Sequence, residues 1–195
     1  MGALMLFVFN PIIGVINDAL ANLLNSMGST SKVILGIVLG GMMAIDMGGP
    51  INKAAYVFGT MSIANGNYDI MAAVMVGGMV PPIGIALATT FFKNRFSKSE
   101  RQSGITNYVM GLAFITEGAI PFAAADPLIP ATAVGAAVAG ALSMVFGCTL
   151  MAPHGGLFVF PVVGNWPMYL VALAAGSVIT MFMLALLKKP VYKEN

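Results

Sequence analysis

The residues able to do chemistry in this chain are few, and they stand at breaks in apolar sequence. Glu117 lies in residues 115–127, ITEGAIPFAAADP, which Asp126 and Pro127 close. Asp46, Asn52 and Lys53 flank a second break, DMGGPINK, and His154 lies in a third, PHGG. A carboxylate offers two strong acceptor oxygens, and hydrogen bonds to it are charge-assisted. Asn52, Lys53 and His154 would add donors. Such a mixed set suits a neutral polyol or sugar, whose hydroxyls both donate and accept. Phe122, Phe158 or Phe160 could stack on the apolar face of a sugar ring.

Each group also has a plainer reading. Asp46 and Asp126 can cap helix ends, and Asp126 stands before Pro127 as an N-cap stands before a proline at the first helical position. Lys53 can serve only to neutralise Asp46. His154 can be an interfacial turn residue. Glu117 is hardest to explain this way, because a carboxylate at membrane depth costs ~3 kcal/mol or more and no cation adjoins it in sequence. Cys148 lies within an apolar run and reads as core, since a reactive thiolate needs an electropositive, partly exposed setting.

The elements that must position these groups are apolar. Of 195 residues, 58% are hydrophobic and 8% charged, where soluble domains carry ~25% charged. That composition implies an all-α integral membrane protein. A single cysteine excludes an intrachain disulfide and a cysteine metal cluster. There is no P-loop, dinucleotide fingerprint or zinc-spaced His/Cys set, so no cofactor or metal is expected, nor a nucleic-acid partner. No basic n-region precedes the first apolar run, so no cleavable signal peptide is expected.

The apolar runs have two lengths. Residues 3–24, 70–92, 128–151 and 168–187 are long enough to span a bilayer, the third run continuing to Met151 and the second kinked at Pro81-Pro82. Residues 33–47, 51–64 and 105–115 fall short of the ~20 residues a span needs. They read as arms of two broken or re-entrant elements, one turning at Gly48-Gly49-Pro50 and one at Gly118 to Pro121. Such backbone is tolerated at membrane depth where it is buried in protein or lines a water-filled cavity. Residues 93–101, KNRFSKSER, carry four Lys/Arg in nine residues and are expected in the cytoplasm, as is the basic tail KKPVYKEN. Parity then puts both termini in the cytoplasm and makes the two broken elements enter from opposite faces. The expected architecture is a polytopic helix bundle forming one membrane transport domain over residues 1–195. It has a first half-unit at about 3–93, a cytoplasmic loop at 93–103 and a second half-unit at about 104–187. Opposed hairpins meeting near the midplane are one way secondary transporters build a substrate site.

The three breaks also resemble a known family. Residues 46–59 (DMGGPINKAAYVFG), 80–101 (VPPIGIALATTFFKNRFSKSER), 114–127 (FITEGAIPFAAADP) and 146–156 (FGCTLMAPHGG) look like the fructose-type membrane component, enzyme IIC, of the bacterial phosphoenolpyruvate-dependent sugar phosphotransferase system (PTS). The match is collinear and runs through most of the chain. The resemblance implies sugar recognition by Glu117, framed by Thr116, Gly118 and Pro121, with Asn52, Lys53 and His154 as further polar positions. It also implies that the chain corresponds to roughly the second half of such a component. Its implied partners are IIA and IIB domains, an N-terminal IIC segment, and a second copy in a homodimer within the lipid of the inner membrane. The phosphoryl-carrying histidine and cysteine would lie on those partners, so this chain supplies binding and positioning only. Two other readings stay open: an ion-coupled secondary transporter with Glu117 and Asp126 carrying protons, and a non-transporting membrane scaffold.

Overall fold

The computed structural model describes residues 29–125 and 129–190. The first apolar run, the orientation of Met1 and Asp126 lie outside the described residues. The described chain is mostly helical. Helix α1 is Ser29–Ile45 and α2 is Pro50–Ala64. Helix α3 is Tyr68–Phe91, α4 is Lys98–Leu112 and α5 is Ile120–Ala125. Helix α6 is Ile129–Val145 and α7 is Trp166–Leu187. Short 3-10 turns lie at Lys93–Arg95, Thr116–Ala119 and Gly156–Val162.

Among the described residues two helices, α3 and α7, are long and apolar enough to cross a membrane. Helix α3 is the axis: nearly every residue from Ile70 to Thr89 is buried, and α1, α4, α6 and α7 all pack on it. Small residues make that packing close. A Cβ on Gly40 would sit 2.3 Å from the Ala136 carbonyl oxygen, and one on Gly140 2.2 Å from that of Gly36. α1 and α6 therefore cross antiparallel, backbone against backbone. Gly135 and Gly176 bring α6 and α7 together in the same way. Helix α7 turns Leu170, Val171, Val178, Phe182 and Leu186 outward, the apolar surface a lipid-facing helix presents.

Helix α3 runs unbroken through Pro81 and Pro82. A proline removes the hydrogen bond to the carbonyl four residues back, so Pro82 frees the Gly78 oxygen. The Thr116 hydroxyl donates to that oxygen at 2.9 Å, as neighbouring hydroxyls do for proline-broken membrane helices.

The two broken elements approach from opposite ends of α3. Lys32 near the start of α1 pairs with Asp69 at the start of α3, at 2.8 Å, and α2 turns directly into α3 through residues 65–67. α1 and α2 thus both reach the Tyr68 end. Helix α4 starts at the Phe91 end, and Pro121 and Phe122 on α5 line one pocket with Ser99, Glu100 and Ser103 of the first turns of α4. The breaks meet between these ends: a Cβ on Gly48 (φ +113) would lie 2.8 Å from Glu117 Oε1.

Two expected boundaries are corrected. Residues 98–101 are not loop but the first turn of α4. Ser97 accepts from the Glu100 amide while the Glu100 carboxylate accepts from the Ser97 amide, a capping box that nucleates the helix. The span expected over 128–151 ends as a helix at Val145. Gly147 takes φ +61, and Thr149–Leu150 leaves the helix to pair antiparallel with Val163–Gly164. That two-rung pair closes the base of a loop whose tip carries His154.

Candidate functional site

Three segments far apart in sequence converge on one cavity of about 210 Å³. Its walls include Asn52, Lys53 and Tyr56 from α2, Phe114, Thr116 and Glu117 from the second break, and His154 from the loop tip. Asn52, Lys53, Thr116, Glu117 and His154 were singled out from the sequence, and the fold gathers them here.

Local chemistry positions each of them. Pro50 opens α2 at a position where its missing N–H costs nothing. The next two amides, Ile51 and Asn52, donate to the two oxygens of Asp46 at 2.7 and 2.9 Å. Asp46 is thereby a helix cap in a favourable place for negative charge. It stands outside the cavity lining, and both of its oxygens are engaged. Asn52 Nδ2 donates to the Met43 carbonyl at 2.7 Å, tying α2 back to α1 across the break. Gly118 also stands outside the lining: a Cβ there would meet Asn107 Oδ1 at 2.6 Å, so its role is close packing against α4.

The charge pairing differs from the sequence expectation. Lys53 Nζ lies 3.5 Å from Glu117 Oε1, across the two breaks. Asp46 is occupied by backbone amides, so the cation of the first break serves the carboxylate of the second. Both side chains keep substantial exposure, 60% for Lys53 and 48% for Glu117. A pair this open contributes little to stability, and its acceptor and donor atoms remain available to a ligand.

The aromatic partners also differ. Phe122 is buried beneath α7, Phe158 is 82% exposed, and Phe160 packs edge-on against Tyr169 at 5.6 Å. The rings at the cavity are Tyr56 and Phe114, with Phe114 4.9 Å from the His154 ring and Tyr56 6.2 Å from both. Phe114 holds φ +62, a region costly for a bulky side chain and often retained at functional sites. Sequence reading missed both, because an aromatic in an apolar run has no distinguishing neighbour pattern. Gly156 is what lets His154 reach this place. It takes φ +56, and a Cβ on it would lie 2.0 Å from the Leu112 carbonyl oxygen, so the loop tip lies flat on the end of α4.

Comparison with known proteins fits these motifs. The chain is 56% identical over 195 residues to the PTS system fructose-specific EIIABC component of Bacillus subtilis, covering 99% of this chain and 31% of that protein. It is 55% identical over 194 residues to the fructose permease IIC component of Bacillus amyloliquefaciens, covering 99% of this chain and 64% of that one. The chain is of the fructose EIIC type. The likeness extends to the PTS system fructose-specific EIIB'BC component of Escherichia coli, 46% identical over 197 residues, 96% of this EIIC-type chain and 34% of the relative. The EIIC-type chain spans less than two thirds of the length of each of these proteins. No family model matches it. No solved structure matches it either.

Proposed function

We propose that the chain is the membrane part of a fructose-type PTS permease and that the Glu117 cavity holds the sugar. The observation that carries this is the convergence of Asn52, Lys53, Thr116, Glu117 and His154 on one cavity from three separate breaks. Glu117 accepts from sugar hydroxyls, Lys53 and Asn52 donate, and Tyr56 or Phe114 covers an apolar ring face. The chain binds fructose or a similar hexose or polyol and presents it to a partner IIB domain, which phosphorylates it. The fusion of B-type units to the matching relatives, in their printed names, supports that partnership.

In the membrane the two broken elements are re-entrant hairpins entering from opposite faces, a reading supported by the arrival of α1–α2 and α4–α5 from opposite ends of α3. The Phe91 end is cytoplasmic. It carries the basic segment 93–101 and the start of the basic tail, joined by Lys188 to Glu100 at 2.7 Å. The chain works in the bacterial inner membrane with an N-terminal IIC segment, IIA and IIB units, and a second copy.

The test is equilibrium binding of labelled fructose to the purified chain, co-expressed with its N-terminal partner where one exists, followed by product analysis. Saturable binding, with a sugar phosphate formed only when a phosphorylated IIB partner is supplied, is the expected result. Uptake driven by a pH gradient, delivering unmodified sugar, would overturn it in favour of ion coupling.

A further inference from the structure

A second cavity, of about 440 Å³, lies between the end of α3 and the first turns of α4. Thr89, Thr90, Lys93, Lys98, Arg101 and Gln102 line it. Three of these are cations and none is an acid. The acid nearest in sequence, Glu100, is engaged by Lys188 at 2.7 Å and by the Ser97 amide at 2.7 Å. Among the described residues Lys93, Lys98 and Arg101 form no ion pair. The Nε of Arg101 is buried and meets no acceptor among the described residues. The Thr89 and Thr90 hydroxyls both donate to the Ala86 carbonyl, so ligand-directed donors come from Lys93, Lys98, Arg101 and Gln102.

Three clustered cations with no acid among them repel one another, and an anion in the cavity relieves that repulsion. We propose that this cavity binds a phosphate group, presented by a soluble phosphomonoester or by a lipid headgroup. The guanidinium fork matches phosphate oxygens bidentately, and the lysines serve as point charges beside it. The cavity also exceeds what a bare ion fills, leaving room for the ester's organic part. It is separate from the Glu117 site: α4 has 15 residues, roughly 22 Å of helix, between its basic first turn and the break beside Phe114.

The experiment uses the purified chain in neutral detergent with two probes: a hexose monophosphate, with the unphosphorylated hexose as control, and nanodiscs with graded phosphatidylglycerol. Thermal stability and equilibrium binding are read in wild type, Glu117→Gln and the double variant Lys98→Gln/Arg101→Gln. The expected result is saturable stabilisation by at least one probe beyond any given by the unphosphorylated hexose, that excess weakened at least tenfold in the double variant and retained in Glu117→Gln. A response to the ester alone assigns the soluble source, and a response to phosphatidylglycerol alone assigns the headgroup. The single variants Lys98→Gln and Lys93→Gln, both at exposed positions, replace the double variant if that one does not fold. Absence of a saturable response to either probe, or equal responses in wild type and these variants, overturns the proposal.

Discussion

At the residue scale, Glu117 and Thr116 are neighbours with opposite duties. Glu117 faces the cavity and is half exposed, so its charge is available to a ligand more than to the fold. A hydrogen bond to a charged group contributes ~1.5–3 kcal/mol. Glu117→Gln should therefore weaken fructose binding roughly ten- to a hundredfold while thermal stability stays near wild type. Equal affinity in the folded variant would remove the carboxylate from recognition. Thr116 is buried and serves the carbonyl that Pro82 leaves free. Thr116→Val should cost about 1–3 kcal/mol in unfolding measurements, because that buried oxygen loses its donor, and Thr116→Ser should recover most of it. If valine is as stable as threonine, the Gly78 carbonyl has another partner and the account of α3 fails.

At the scale of elements, the break between α1 and α2 depends on how α2 starts. Its first residue has no N–H to satisfy, and its next two amides are taken by Asp46. Asp46→Ala should destabilise by about 1 kcal/mol, the usual cost of a lost cap. Asp46→Asn should also destabilise, since its one amide oxygen can accept from only one of the two amides and its NH2 faces the other, while fructose affinity of the folded protein stays normal. A substrate role for Asp46 predicts the opposite for the asparagine variant, a stable protein that binds poorly. Denaturant unfolding paired with binding on both variants separates the two.

At the scale of the whole molecule, the Phe91 end is held by a cluster joining α4 to the end of α7. Lys188 pairs with Glu100 and lies 4.9 Å from the Phe96 ring centre. Burial alone would raise the Glu100 carboxyl, but the hydrogen bonds from Lys188 and Ser97 outweigh it and hold the group below its ordinary value. A carboxyl lowered in the folded state adds stability above its unfolded pKa and loses it as pH falls through the folded one. The stability difference between wild type and Glu100→Gln should be full near neutrality and vanish as pH drops through and below the ordinary glutamate range. A difference that persists in acid would mean the pair is held by something other than charge. The same cluster bears on topology. Reporter fusions after Lys98 and after Lys189 should both report cytoplasm, and one within residues 26–31 should report the outside. A periplasmic signal from the Lys98 fusion would reverse the proposed orientation.

Composition and punctuation carried much of this molecule. Low charge and long apolar runs determine an all-α membrane chain, because a backbone in lipid must satisfy its own hydrogen bonds. Whereas the second break opens earlier than Gly118–Pro121, with α4 ending at Leu112 and Phe114 taking φ +62, Gly48-Gly49-Pro50 marks a break because glycine and proline act locally, on their own turn of backbone. Glu117 was conspicuous for the same reason, as a charge where charge is expensive. What faces what was not legible. Lys53 stands seven residues from Asp46 in sequence, yet it serves Glu117, because the amides of α2 had already taken the Asp46 oxygens. Tyr56 and Phe114 rather than Phe122, Phe158 or Phe160 line the cavity, since burial of an aromatic is decided by which helix lies against it. The closing of the His154 loop by two rungs of strand, and the donation of Thr116 to a carbonyl 38 residues earlier, are likewise products of packing. Local sequence sets where the backbone breaks, and only the close approach of α1, α3 and α6 through their glycines decides which broken ends meet.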